Sequence, residues 1–145
     1  MTKYDSSLAV VARLLDASEE ALGVQRCMVA AIITHQTTEL LLRMLIHRFG
    51  RSRGLETTTL TLAAEREMSI RSLLLYFDLI YPGNKLSARL LDVHQQRKSI
   101  MHRLVSGCEP LNVPDDQTQA QCLAATELNL ELRELLQPDQ SRILG

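Results

Sequence analysis

Apolar residues along this chain recur at intervals of three and four, the period of one face of an α-helix. The stretches that carry this period are separated by clusters of Gly, Pro and Thr. Five helices are predicted. The first spans about Ser6–Leu22, with Asp5 as its N-cap, an apolar stripe of Leu8, Val11, Leu15 and Leu22, and Gly23 as its stop. The second, about Val24–Phe49, is the longest. Met28, Ala31, Ile32, His35, Leu42, Leu45, Ile46 and Phe49 form its stripe and Gly50 ends it. A polar connection, Arg51–Thr59, follows, in which three successive threonines disfavour helix. A short turn at Leu60–Ala64 then leads into a third helix over about Glu65–Ile80. Tyr81-Pro82-Gly83-Asn84 is a turn, because Pro presets φ and Gly and Asn tolerate positive φ. The fourth helix covers about Lys85–Val105. Ser106–Pro114 is a loop broken by Gly107, Pro110 and Pro114. The fifth helix starts at the Asp115-Asp116 cap and runs to about Leu136, before Pro138 and a short tail.

Composition agrees with this reading. The chain has 145 residues, which suits a single domain able to bury a real core. Leucine fills 27 positions, only five residues are aromatic, and Gly and Pro together number ten. A sheet protein would use more Val, Ile, Tyr, Phe and Gly. The expected fold is therefore all-α: a single antiparallel bundle of about five helices over residues 1–145, with no repeat, low-complexity tract or linker.

The net charge of −1 hides an uneven distribution. Residues 85–108 carry +4 and residues 109–145 carry −5. A basic fourth helix could meet an anion such as a nucleic-acid backbone, or the acidic fifth helix could neutralise it. Arg outnumbers Lys thirteen to three, which suits bidentate contacts to phosphate or carboxylate. The three cysteines, Cys27, Cys108 and Cys122, form no CxxC pair, so neither a zinc site nor a disulfide framework is signalled. The N-terminal MTKYDSSLAV lacks the apolar stretch of a signal peptide, and no apolar run reaches the length of a membrane span. The expected setting is a reducing cytoplasm, with no membrane partner.

One residue breaks the leucine periodicity. The stripe of the fourth helix reads Leu86, Leu90, Val93, Arg97, Ile100 and Leu104, at spacings of four, three, four, three and four. Arg97 thus occupies a core position. A guanidinium there needs an anionic partner, a water-filled pocket, or a route for snorkelling to the surface. Glu39, near the inner edge of the second helix, is a candidate partner. His102 lies five residues on, about 140° around the helix from Arg97, so one straight helix does not aim both at one point. The i, i+4, i+8 spacing puts His102 on a face with His94 and Lys98. A symmetric copy of the chain could bring Arg97 and His102 from two protomers around one cleft.

The segment Leu91-Asp-Val-His-Gln-Gln-Arg97-Lys98-Ser99-Ile100-Met101-His102 resembles the signature of the HEPN superfamily. Those are compact helical domains with an R-x4-6-H motif late in the bundle. The earlier run from Ala30 to Arg43, with Glu39 followed by leucines, is similar to the long second helix of that family. Order, lengths and spacing correspond over roughly residues 24–105. Two departures stand out: Lys98 follows the motif Arg where Asn or another small polar residue is common, and Leu104 stands where a toxin subgroup has a modified Tyr.

The resemblance implies metal-independent RNA cleavage with no cofactor. The substrate 2′-hydroxyl would attack the adjacent phosphate, with His102 as general acid or base and Arg97 stabilising the developing charge. Lys98, Arg103 and His94 would bind flanking substrate, and Glu39 would support. The partners implied are a second copy through the motif helix, RNA, and an antitoxin or regulatory protein, in a toxin or phage-defence setting. The alternative, which Lys98 favours, is a non-catalytic bundle of the same type that serves dimerisation, partner docking or nucleic-acid binding. The fourth helix offers no aromatic platform for stacking bases, so sequence-specific single-strand readout is not indicated.

Overall fold

The structure, a computed structural model, describes residues 3–24, 26–57, 68–105 and 116–136. Its elements are α1 (Lys3–Gly23), α2 (Cys27–Phe49), a 3-10 turn (Arg51–Arg53), α3 (Ile70–Ile80), α4 (Leu86–Val105) and α5 (Asp116–Leu136), and the described residues contain no strand. The protein is an all-α helical bundle. The turn expected at 60–64, the loop at 106–114 and the tail after Leu136 lie outside the described residues.

Helix α2 is the axis of the bundle. It packs against α1 on one side and α5 on another, with α3 and α4 closing the remainder. The main core draws residues from all five helices: Val11 of α1, Leu41, Leu42, Leu45 and Ile46 of α2, Leu73, Phe77 and Ile80 of α3, Leu90 of α4, and Leu128, Leu132 and Leu136 of α5. Contacts with the four other helices explain why the stripe expected on α2 is too narrow. Cys27, Ala30, Thr34, Thr37, Thr38, Leu41 and Met44 are buried as well, while Gln36, His47 and Arg48 stay exposed. By length and composition α2 could also cross a membrane, but more than half of its most apolar window is buried inside the bundle.

Most boundaries follow local chemistry. Helix α1 begins at Lys3, ahead of Asp5, so Asp5 is an interior residue of the first turns and not the N-cap expected from sequence. Gly50 continues in helical conformation after α2, and the left-handed position falls at Gly54 (φ 92°), beyond the 3-10 turn. Helix α3 starts at Ile70, later than expected, because the Ser69 side chain accepts from the Ser72 N–H and caps it. Arg48 of α2 donates to the Leu136 carbonyl at 3.1 Å, satisfying an open acceptor at the end of α5.

The α3–α4 turn is built around Asn84. Gly83 takes φ 75°, where an L side chain would be strained. The Asn84 Oδ1 accepts from the Leu86 and Ser87 N–H groups, both at 2.9 Å, and so caps α4. Its Nδ2 donates to Asp78 Oδ1 at 3.0 Å and to the Tyr81 carbonyl at 2.7 Å. Replacing Asn84 by Ala removes all four bonds. Asn84→Ala should lower the unfolding free energy by about 1–2 kcal/mol in urea denaturation, with the denaturant slope unchanged.

Candidate functional site

A partly open cavity of about 30 Å³ lies where α2, α3, α4 and α5 meet. Its walls are apolar, with Ile70 from α3, Leu90 and Val93 from α4 and Ala125 from α5 among them. Set into these walls are His35, Thr34 and Thr38 of α2, His94 and Arg97 of α4, and Gln121 of α5. The two imidazoles stack, with ring centroids 5.6 Å apart and planes 23° apart. His94 is only 6% exposed.

Three buried polar atoms of this cavity have no hydrogen-bond partner among the described residues: His94 Nδ1, Arg97 Nε and Gln121 Oε1. Among the described residues the other buried side-chain polar atoms are matched. Ser18 and Thr34 share a hydroxyl bond of 2.8 Å, and Thr38 donates to Asn129 Oδ1 at 2.6 Å. Asn129 Nδ2 donates in turn to the Thr34 carbonyl at 3.1 Å. The open valences are thus concentrated at one place.

The residues singled out in the sequence part company here. Arg97 and His94 meet in the cavity, where Arg97 is half-buried with its Nε enclosed. Glu39, the expected partner of Arg97, is engaged elsewhere. It accepts from His35 Nε2 at 2.9 Å and from Arg43 at 3.4 Å. Each of these is four residues away along α2, so the carboxylate is satisfied by its own helix. Among the described residues Arg97 has no carboxylate partner. Lys98 and His102 are exposed, on the outer side of α4. The side chains of Ile100, Arg103 and Leu104 lie outside the described residues. The face expected to unite His94, Lys98 and His102 is therefore split. Each four-residue step drifts by about 40°, and the accumulated turn leaves His94 inside beside Leu90 while His102 faces solvent.

Sequence reasoning placed His35 among the core residues and passed over Gln121. The missed signal for His35 is the H-x3-E-x3-R ladder of His35, Glu39 and Arg43, which puts a carboxylate between two potential cations on one face. No local signal marks Gln121, because its role depends on how α5 docks.

Electrostatics sharpen the picture. His94 is held down from an ordinary 6.5 to about 4, first by burial and then by the positive charges of His35, Lys98, Arg97 and Arg71. The hydrogen bond from His35 holds the Glu39 carboxyl below its ordinary value, with burial acting in the opposite direction. Burial pushes the Cys122 thiol up to about 12, and its Sγ–H lies 3.7 Å from the Cys27 carbonyl. Both cysteines are buried and free. Among the described residues no three His, Cys, Asp or Glu side chains gather as they would around a metal ion.

The charge balance seen in the sequence has one direct structural counterpart. Arg89 of α4 and Glu131 of α5 pair at 3.1 Å across the exposed edge of the two helices, a contact worth at most about 1 kcal/mol. Lys98 and His102 have no such partner on α5. Comparison with protein-family models, curated proteins and solved structures gives no match.

The burial of His94 makes a prediction about acid stability. The folded protein keeps this imidazole neutral down to about pH 4, whereas the unfolded chain takes up the proton near 6.5. Folding is thus opposed increasingly as pH falls from 6.5 towards 4, and the group is silent above that window. Between pH 7 and pH 5 the loss is about 2 kcal/mol. Glu39, shifted below its ordinary 4.5, acts only at lower pH. His94→Gln should therefore flatten the difference in urea unfolding free energy between pH 7 and pH 5 by about 2 kcal/mol. A variant with the same pH difference as the parent would contradict the buried neutral imidazole.

Proposed function

We propose that the protein is a dimeric, metal-independent endoribonuclease of HEPN type, acting in a cytoplasmic toxin or phage-defence role. The observation that carries this reading is the uncommitted charge of Arg97. Arg43 and Arg89 each hold a carboxylate, Glu39 and Glu131 respectively. Arg97, on the helix with the R-x4-H spacing, holds none among the described residues. An unpaired guanidinium at the edge of a low-dielectric pocket is suited to a phosphate and to the charge that grows on it during transfer.

In this reading Arg97 binds the scissile phosphate, and His102, exposed to solvent, moves the proton of the attacking 2′-hydroxyl or of the leaving 5′-oxygen. The angle of about 140° between the two side chains requires that they come from two protomers facing each other across a two-fold axis. Lys98, exposed beside the motif, and Arg103 hold flanking phosphates. The products carry a 2′,3′-cyclic phosphate and a 5′-hydroxyl.

A second reading is a non-catalytic bundle that docks a partner. It is favoured by the exposed leucines near the α3–α4 groove: Leu75 is 66% exposed, Leu79 59% and Leu91 36%.

The discriminating experiment incubates the purified protein with a mixed RNA pool in chelator. The expected result is cleavage to cyclic-phosphate ends, reduced about 100-fold or more in His102→Ala and in Arg97→Ala, both folded by circular dichroism. Cleavage that survives both substitutions removes the proposed site. No cleavage from a stable dimer supports the docking reading.

A further inference from the structure

We propose that the cavity between α2, α4 and α5 is a binding site for a compact planar oxyanion of formate size, held by Arg97, His94 and Gln121. The proposal concerns the inner face of Arg97 and is independent of RNA cleavage.

The donor set points to an acceptor ligand. Arg97 Nε–H is a fixed donor and is buried without a partner. His94, 6% exposed, has an unpartnered Nδ1 on the same cavity, and in its Nδ1–H tautomer the neutral ring donates there. Gln121 lines the cavity from the opposite helix with its Oε1 buried and unpartnered. A half turn of its amide presents the NH2 group in that place. With that tautomer and that amide orientation, three N–H donors from two helices surround one small space.

Charge and size narrow the class. The cavity holds a guanidinium with no carboxylate partner among the described residues, since Glu39 is taken by His35 and Arg43. Around His94, the neighbours His35, Lys98, Arg97 and Arg71 all act as positive charge. These charges favour an anion over a neutral molecule of the same size. The cavity volume is about 30 Å³. A water needs roughly 10–15 Å³ on this measure, and a cavity of about 150 Å³ holds benzene. On these scales the space suits two or at most three heavy atoms and excludes a nucleobase, a sugar phosphate or an aromatic acid. A trigonal oxyanion also matches the flat fork of an arginine.

The test uses the full chain at pH 7 without RNA. Sodium formate is titrated against sodium sulfate at equal ionic strength, and the His94 ring and Gln121 side-chain amide signals are followed by NMR. The expected result is a saturable shift of both signals with formate and not with sulfate. The small size of the ligand sets a Kd no tighter than about 1 mM. Gln121→Leu and Arg97→Met should each weaken binding at least tenfold. Their fold is checked by thermal melting, and Gln121→Leu carries the test if Arg97→Met does not fold. A linear response, binding that persists unchanged in the folded variants, or a long-lived internal water with no response to formate would overturn the proposal. Formate binding without RNA cleavage would leave it standing and count against the nuclease reading alone.

Discussion

Everything else in this bundle depends on the burial of most of α2 among the other helices. Threonines on its buried faces have no route to water, so each hydroxyl must be satisfied by packing neighbours or by its own backbone. Thr34 and Thr38 meet this demand in two ways. Each bonds a carbonyl one turn back, at 2.6 Å and 3.0 Å, and each reaches a partner helix, Ser18 of α1 and Asn129 of α5. These bonds are directional where hydrophobic packing is not. They lock the rotation of α1 and α5 about α2. Asn129 lies two turns along α5 from Gln121 and Cys122, so the lock that satisfies Thr38 also fixes which residues of α5 line the cavity.

The cavity itself follows from a mismatch between helices. Helix α4 brings His94 and Arg97 to the seam where aliphatic residues would close the gap, and α2 answers with His35. Two imidazoles stacked at 5.6 Å fill part of this space as flat plates. They do not interdigitate as branched side chains do. Cation placement follows the same seam. Glu39 draws His35 and Arg43 into a ladder along α2, which leaves Arg97 as a guanidinium with no local carboxylate. The asymmetry between these arginines comes from spacing along the helix: Arg43 has a carboxylate four residues before it, and Arg97 has none three or four residues away.

How much of this was legible in the sequence depends on how local the cause is. The α3–α4 turn was readable because Pro82, Gly83 and Asn84 act within a few residues of themselves, and Asn84 does cap α4. The end of α2 at Phe49 also falls where it was expected, although Gly50 itself stays helical. Asp5 misled because a good capping residue can equally sit in the first turn of a helix that starts earlier. The wide burial of α2 was not readable from a period of 3.6, since that period describes one face and α2 packs against four helices. The conflict at Arg97 was visible as a charge in a leucine register. Its resolution was not, because the register leaves a partner, a pocket or snorkelling open and does not say which helices face it. His94 was assigned to the wrong face by treating i, i+4 and i+8 as one line, although the line turns by about 80° over two steps.

Arg97 and His102 therefore belong to two different environments on one helix, and that difference bears on what each can do. A group in a low-dielectric wall interacts strongly with whatever charge reaches it, while a group in solvent is screened but accessible. Unpartnered polar atoms in the interior lower stability by roughly 1–3 kcal/mol each. Three of them lie at one seam of an otherwise well-matched core, where Leu or Met at positions 94, 97 and 121 would pack without that penalty. Local rules broken at a single place, and satisfied everywhere around it, mark the part of a fold that stability alone does not explain. On that argument the inner wall of α4, with its polar seam of His94, Arg97 and Gln121, has as strong a claim to function as the exposed flank that carries His102.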